Sequence, residues 1–392
     1  MLYQARTQIL YLRNKNMQIV ADGVIWDGSD APIEHRTCVR TNVSLAHDGT
    51  LYVAFRWGTA RESLDGHEGL MASVDMGETW EVRFDGCGMG SWDGVPGEVK
   101  GLETFETAPG ELLGTGLWSD ASDPDAPFIH PETQGLLPMR IFHTDSSDGG
   151  RTWGPRRRIE TPPYPGSPCS HVVRLSNGSL AQPYEYWKVY EDPSPARPGA
   201  RMLLSHDDGV TWDEDVLVAE HPDNELYYWD QRIDVHPETG QLVAMFWTHS
   251  PVTGEVQDVH IAWGSLDGRS WSVPQHTGLP GQHCQGVPLG GDRLLAIYSR
   301  RSDPPGIAVS ISEDFGQTWD RARDLSVYDS GVGTESGASG SREQADLWAD
   351  MVAWRFGHPR GVMLPNGEAF VVYYGGDDKV KSARWARISP GS

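Results

Sequence analysis

The sequence S-V-D-M-G-E-T-W at residues 73–80 follows the pattern S-x-D-x-G-x-T-W, which returns at long intervals along the chain. Three further full copies and one shortened copy lie at 146–153, 205–212, 312–319 and 265–271. The Asp can accept hydrogen bonds from backbone N–H groups of a tight turn. The Gly tolerates a conformation that other residues rarely adopt, and the Trp is a large apolar plate. A turn that recurs in this way indicates one small unit repeated around a scaffold.

A second repeated signal is a pair of apolar stretches joined by a short, Gly-containing turn, as is typical of β-hairpins. The six examples lie at 42–55, 105–117, 172–184, 233–246, 287–298 and 362–374. Together with the Asp turns they describe units of four antiparallel strands, so the sequence predicts an all-β, six-bladed β-propeller. The sixth unit has no Asp turn. We expect the N-terminal run 17–26 to supply its outer strand and to close the ring.

The repeats span most of the chain, so we expect a single domain over residues 1–392. The expected blades are approximately 40–82, 100–155, 170–214, 230–273, 284–321 and 358–388, the last completed by 17–26. The small, polar stretch at 329–350 is predicted to be a flexible insertion between blades five and six.

Composition narrows the classes of partner. The formal net charge of −23 argues against binding to nucleic acid or to anionic membranes. The chain has no apolar run of transmembrane length and its first residues lack signal-peptide features, so we expect a cytoplasmic protein, or a secreted one if a signal was removed. With no C-x-x-C, H-E-x-x-H or i, i+4 His pair, we expect no metal and no cofactor. The oligomeric state stays open.

The order of strands places the candidate site on the face opposite the Asp turns. Strand a is innermost in each blade, and its start lies on this face with the end of strand b and the b–c loop. Arg can clamp a carboxylate, carboxylates and His can move protons, and aromatic rings can stack on sugars. This mixture favours an acidic carbohydrate as the ligand. The candidate substrate-binding residues are Arg40, Arg56, Trp57, His171, Arg232, Trp247, Gln285 and Arg301, and Glu103, Glu185, His283 and Tyr374 also lie at such positions.

The Asp turns and the propeller pattern resemble the sialidase (neuraminidase) superfamily of Asp-box, or BNR-repeat, proteins over nearly the whole chain. The resemblance implies a glycosidase with three Arg residues that bind the substrate carboxylate. Arg40 stands nine residues before a Gly-Thr-Leu turn and is similar in place to the first of them. Arg232 and Arg301 are candidates for the other two. Asp65 is similar in position to the acid/base Asp of the family, with Glu68 as a rival.

The chain departs from the family pattern at the nucleophile. His358 stands where the family has a Tyr in blade six, and Asp230 is nearest to the Glu that assists it in blade four. Because the retaining reaction of the family needs that pair, the sequence leaves three functions open.

The first function is a sialidase-like glycoside hydrolase acting on a carboxylate-bearing sugar, with Asp65, Asp230 and His358 as catalytic residues. The second is a propeller-type polysaccharide lyase in which His171, His358 and a Tyr abstract a proton from a uronate. The third is a non-catalytic glycan-binding propeller.

Overall fold

The computed structural model describes residues 16–86, 89–161, 166–301, 304–331 and 344–391, and within these ranges six antiparallel sheets form a β-propeller. Strand β1 (Gln18–Trp26) precedes blade one, which contains β2 (Val39–Leu45), β3 (Leu51–Trp57), β4 (His67–Ser73) and β5 (Glu81–Asp85). Blade two contains β6 (Gly97–Ala108), β7 (Glu111–Asp120), β8 (Met139–Ser146) and β9 (Arg157–Ile159). Blade three contains β10 (Gly166–Pro168), β11 (Val173–Arg174), β12 (Leu180–Tyr186), β13 (Gly199–Ser205) and β14 (Glu214–Ala219).

The second half of the ring repeats this plan. Blade four contains β15 (Tyr227–Val235), β16 (Leu242–His249), β17 (His260–Gly264) and β18 (Gln275–His276). Blade five contains β19 (Gln282–Gly290), β20 (Arg293–Arg300), β21 (Gly306–Ser312) and β22 (Leu325–Asp329). Blade six contains β23 (Phe356–Met363), β24 (Ala369–Gly376) and β25 (Lys381–Ser389). Short 3₁₀ turns lie at Ile33–His35 and Arg321–Arg323.

The N-terminal strand closes the ring. β1 pairs antiparallel with β25, so that blade six has the strand order β1-β25-β24-β23. The innermost strand β23 in turn contacts β2 of blade one, and β2 contacts β6 of blade two. The prediction that residues 17–26 complete the sixth blade is therefore confirmed, and with it the six-bladed propeller.

Each Asp turn is a closed hydrogen-bond network at the interface between two blades. In blade one, Asp75 accepts hydrogen bonds from the Thr79 backbone N–H at 2.9 Å and the Thr79 hydroxyl at 2.6 Å, which lower its pKa to about 2. The Trp80 indole N–H donates to the Gly77 carbonyl at 3.0 Å. Gly77 has φ 93°, and a Cβ there would lie 2.6 Å from the Phe370 ring of blade six. The turn thus combines a local network with a close contact between blades.

The segment between blades five and six differs from the expectation. Of the predicted flexible insertion 329–350, residues 332–343 lie outside the described residues, whereas helix α1 spans Gln344–Val352. Leu347 and Met351 are buried, and the Trp348 ring lies 4.6 Å from that of Phe128, centroid to centroid. The helix forms because its apolar side chains have an aromatic surface to cover. Among the described residues, no helix has both the length and the apolar character needed to cross a bilayer.

Candidate active site

β-Bulges near the starts of the innermost strands build the pore. Pairing shifts register between Val39 and Asn42, Val99 and Leu102, Trp229 and Arg232, Gln282 and Cys284, and Gly357 and Arg360. At four of these bulges a non-glycine residue has positive φ: Arg40 (57°), Asp230 (49°), His283 (36°) and His358 (45°). Such conformations are costly for side-chain-bearing residues and are concentrated at functional sites. The bulges therefore identify the central pore as the candidate site.

The pore contains two connected cavities, here called the inner and outer chambers. Including the open solvent at their mouths, the inner chamber measures about 600 Å³ and the outer chamber about 670 Å³. They share Arg40, Lys100, Leu117, Ser167, Glu185, Asp230 and His358. Glu103, Arg232 and Arg360 line only the inner chamber, and Phe128, Trp229, Trp247 and Trp348 line only the outer one. The inner chamber is therefore charged, whereas the outer chamber has an aromatic wall to which α1 contributes.

A pair of half-buried carboxyl groups, those of Glu185 and Asp230, lies where the two chambers meet. The Asp230 backbone N–H donates to Glu185 Oε2 at 2.8 Å, and Arg232 Nη2 lies 2.6 Å from Asp230 Oδ1. Burial, and then the charge of Asp230, raise the pKa of Glu185 to about 7. Burial also raises the pKa of Asp230, while the charge of Arg232 opposes that rise. The guanidinium thus favours ionisation of Asp230, and Glu185 holds its proton to near-neutral pH.

Three cations surround Glu62 beside this pair. Glu62 oxygens lie 3.5 Å from Arg40 Nη2, 3.4 Å from Arg61 Nε and 3.2 Å from Lys100 Nζ. Burial alone would raise the pKa of Glu62, but the charges of Lys100, Arg40 and Arg61 outweigh it and lower the pKa to about 2. Glu98 also lies 2.5 Å from Lys100 Nζ and 3.0 Å from Arg56 Nη2, so two carboxyl groups are paired with four cations beside the pore.

Two neutral histidines, His283 and His358, also line the outer chamber. The His283 and His358 rings lie 4.2 Å apart, centroid to centroid. Burial is the first cause that holds both pKa values well below the ordinary one, followed by Arg301 for His283 and by His283 itself for His358. The Tyr374 hydroxyl, whose ring lies 6.0 Å from His358, accepts a hydrogen bond from Arg61 Nη1 at 2.6 Å. Both imidazoles can therefore serve as hydrogen-bond partners without adding charge.

Several residues expected at the site lie in the pore, and others have structural contacts instead. Arg40, Arg232, Trp247, Asp230 and His358 line the chambers. His171 is half-buried, and burial together with the charges of Arg360 and Arg232 lowers its pKa to about 3.

Asp65, expected to be the acid/base residue, is exposed, and its carboxylate accepts hydrogen bonds from the Thr59 backbone N–H at 3.1 Å and hydroxyl at 2.6 Å. It caps the β3–β4 loop, because Thr59 offers two donors within that loop. Its rival Glu68 is buried and lies 3.3 Å from Arg156. In place of both, Glu62 of the same loop reaches the pore.

Four expected substrate-binding residues also have structural contacts. Arg56 is fully buried, donates to the Ala60 carbonyl and lies 3.0 Å from Glu98. Trp57 packs against Phe55 and His35. Gln285 exchanges two hydrogen bonds with the backbone of Gly361 and so joins β19 to β23. Arg301 lies 3.7 Å over the Trp354 ring and donates to the Phe356 carbonyl at 2.8 Å. The buried side chains of Arg56, Gln285 and Arg301 thus form hydrogen bonds that join neighbouring segments of the chain.

The sequence reasoning missed Arg61, Glu62, Lys100 and Arg360. Lys100 lies near the start of the innermost strand of blade two, and Arg61 and Glu62 lie in a b–c loop. Both kinds of position belong to the face opposite the Asp turns, so all three residues could have been selected from the sequence. Arg360 follows His358 by two residues and donates to the Cys169 carbonyl at 2.7 Å across the pore. Its position depends on the bulge between Gly357 and Arg360, which has no recognisable pattern in the sequence.

Comparison with known proteins agrees with this architecture. Residues 128–373 match the family described as BNR repeat-like domain. A sialidase of Micromonospora viridifaciens is 26% identical over 208 residues, which cover 46% of this chain and 31% of that protein. The match thus covers under a third of that relative's length.

Two solved structures are similar in fold. A protein of unknown function from Dyadobacter fermentans has a TM-score of 0.69 at 18% identity, over 95% of this chain and 99% of that one. A Hadza microbial sialidase has a TM-score of 0.64 at 16% identity, over 93% of this chain and 68% of the other.

Proposed function

Since this chain belongs to the BNR repeat-like family, we propose that it is a sialidase-like glycoside hydrolase that acts on a carboxylate-bearing sugar in the inner chamber. The observation that carries the proposal is the pair formed by Glu185 and Asp230, two half-buried carboxyl groups of which one has a raised pKa and the other is paired with Arg232. Two carboxyl groups driven into different protonation states are what glycosidic bond cleavage requires.

The charge of the chamber supports an anionic ligand. The whole chain has a net charge of −23, yet four cations, Arg40, Lys100, Arg232 and Arg360, line the inner chamber. Each is also paired with an acid: Arg40 and Lys100 with Glu62, Arg232 with Asp230, and Arg360 with Glu103. A cluster of cations in an acidic protein attracts anions to that site. Within the described residues, the buried Nε atoms of Arg40 and Arg232 have no hydrogen-bond partner. A sugar carboxylate would satisfy such donors.

In the proposed reaction, Glu185 donates its proton to the glycosidic oxygen as the bond to the anomeric carbon breaks. The ionised Asp230 stabilises the positive charge that develops on the sugar ring, and Arg232 keeps Asp230 ionised until then. Glu185 then recovers a proton from the water that enters the product. His358 stays neutral and orients the sugar by a hydrogen bond.

The outer chamber suits the group attached to the sugar. Its wall contains Trp229, Trp247, Trp348 and Phe128, and flat aromatic rings stack on the apolar faces of sugars. A glycan leaving group would lie there, next to the proton of Glu185.

The test is turnover of fluorogenic sialosides and uronosides by the wild type, Glu185→Gln and Asp230→Asn, with the exposed Glu191→Gln as a matched control. Both pore substitutions are expected to lower kcat by about 100-fold or more, since general acid–base groups contribute roughly 10²–10⁴-fold, whereas Glu191→Gln leaves it unchanged. Glycan binding without turnover by the wild type would favour the non-catalytic function. Full activity of Glu185→Gln would exclude the proposed acid.

One observation favours the lyase as a second candidate. His358 is neutral and lies beside Tyr374, whose hydroxyl is bonded to Arg61. A neutral imidazole can accept the proton next to a uronate carboxylate, while cations stabilise the resulting anion. A lyase would release an unsaturated product that absorbs near 235 nm and would lose this activity in His358→Gln, whereas the hydrolase produces no such absorbance.

A further inference from the structure

Three potential metal ligands converge on blade one, apart from the residues of the two chambers. His67 begins β4, Asp85 ends β5, and His35 ends the 3₁₀ turn in the linker between β1 and β2. Their ligand atoms all lie within 4.8 Å of one another. The three residues come from separate elements, so the fold, and not a local sequence motif, assembles the group.

The hydrogen bonding of His67 leaves a lone pair directed at this group. Its Nδ1 lies 2.8 Å from the backbone carbonyl oxygen of Asp65. Because a carbonyl oxygen only accepts, Nδ1 carries the hydrogen, and in a neutral ring Nε2 would present its lone pair. The side chain is 3% exposed, and Nε2 has no hydrogen-bond partner among the described residues. It lies 3.5 Å from Asp85 Oδ1, so that lone pair would face a carboxylate oxygen.

A cation between these atoms would remove the conflict, and the distances suit zinc. In tetrahedral coordination with bonds of about 2.1 Å, neighbouring ligand atoms lie about 3.4 Å apart. His67 Nε2 lies 3.5 Å from Asp85 Oδ1, and His35 Nε2, which forms a hydrogen bond with the other carboxylate oxygen, lies 3.0 Å from Asp85 Oδ2. The Asp65 carbonyl on Nδ1 is the usual outer partner of a metal-bound imidazole. The Trp57 ring, 4.6 Å from that of His35, forms an apolar wall.

We propose that His35, His67 and Asp85 bind a Zn²⁺ ion whose fourth position is open to water. Asp85 is 42% exposed, which gives the ion an entry path. Two imidazoles and a carboxylate form a ligand set that zinc accepts. The ion would be structural: it would fasten the linker that follows β1 to the outer strands of blade one. Since β1 belongs to blade six, the proposed ion lies at the closure of the ring.

A second group offers a comparison within the same molecule. Asp258, His260 and His276 also place their ligand atoms within 4.8 Å of one another. His276 Nδ1 lies 2.6 Å from Asp258 Oδ1 and 3.0 Å from His260 Nε2. Unlike His67 Nε2, each of these three ligand atoms thus already has a hydrogen-bond partner within the group. Its exposed His276 is therefore a suitable control position.

The experiment is calorimetric titration of Zn²⁺ into the EDTA-treated full chain, with thermal unfolding in parallel. The wild type is expected to bind one Zn²⁺ and, at a hundredfold excess over the dissociation constant, to gain about 3 °C in Tm. His35→Gln and Asp85→Asn are expected to weaken binding more than tenfold and to lose the Tm gain. His276→Gln is expected to retain both.

The ligands are then checked on the wild type by zinc X-ray absorption, which needs no variant to fold. Nitrogen and oxygen neighbours alone would agree with the proposal, whereas a sulfur neighbour would overturn it. The proposal also fails if the wild type binds no Zn²⁺, in which case His67 and Asp85 form an ion pair through a proton. Binding lost in His276→Gln but kept in His35→Gln would assign the metal to the other group.

Discussion

Replacing Glu185 by Gln should stabilise the protein at alkaline pH while lowering its activity. Burial and Asp230 raise the pKa of Glu185 from the ordinary 4.5 to about 7. The folded protein therefore holds this proton more tightly than the unfolded chain does. The resulting stabilisation is fully present below pH 4.5 and is lost as the pH rises through 7. Between those limits the loss corresponds to about 3 kcal/mol, at about 1.36 kcal/mol per pH unit.

Gln resembles the protonated carboxyl and does not titrate, so the variant avoids this loss. Its free energy of unfolding relative to the wild type should therefore rise by about 3 kcal/mol between pH 4 and pH 8.5. Asp234, a second half-buried carboxyl whose pKa is raised to about 7 by desolvation, titrates in both proteins and cancels from the difference. The assay is urea unfolding at the two pH values, with Glu191→Gln as the control for an exposed position. A difference that stays constant with pH would refute the assigned protonation of Glu185.

Three further outcomes are expected. Gly77→Ala should lower Tm more than Gly49→Ala: both residues have φ near 90°, but only at Gly77 would a Cβ meet a ring, that of Phe370, at 2.6 Å. The difference, of about 1–3 kcal/mol for overpacking, is measured by denaturant unfolding, and equal losses would contradict the inter-blade contact. Arg40→Lys should raise KM for a carboxylate-bearing substrate about tenfold with a smaller effect on kcat, because an ammonium cannot form the paired hydrogen bonds of a guanidinium; initial rates decide this. Asp65→Asn should keep kcat within about twofold while lowering Tm slightly, since one loop cap is weakened, and a loss of turnover as large as that expected for Glu185→Gln would restore Asp65 as the acid.

The scaffold could be predicted from the sequence because its signals are local. An Asp turn such as 73–80 forms its hydrogen bonds within eight residues. Each copy of the turn therefore requires the same residues at the same spacing, and the pattern can be recognised in the sequence. The same holds for the hairpins. Even the closing strand β1 could be inferred, since a blade that lacked its fourth strand left one place to fill.

The site was harder to predict because its geometry depends on backbone conformation and on contacts between blades. The bulges at Arg40, Asp230, His283 and His358 reverse the side to which a residue points, and alternation along a strand does not reveal them. In the β3–β4 loop, Asp65 and Glu62 are only three residues apart. The presence of Thr59 as a donor and of Lys100 from the next blade decides which carboxylate turns inward.

The fold of this protein is inferred from the Asp turns, whereas its reaction must be inferred from the residues of the pore. The Asp turns lie on the face opposite the pore, and their hydrogen bonds are formed within each turn. They therefore do not depend on the reaction in the pore, and one fold can carry different functions. The pore combines charged residues of several blades, and removing their charges from water costs free energy. Ion pairs offset this cost, between blades for Glu62 and Lys100 and within one strand for Asp230 and Arg232. A change at one pore residue therefore shifts the protonation of the next. On this reasoning, the proposed roles of Glu185, Asp230 and His358 depend on one another, and the activity of variants at these positions tests them together.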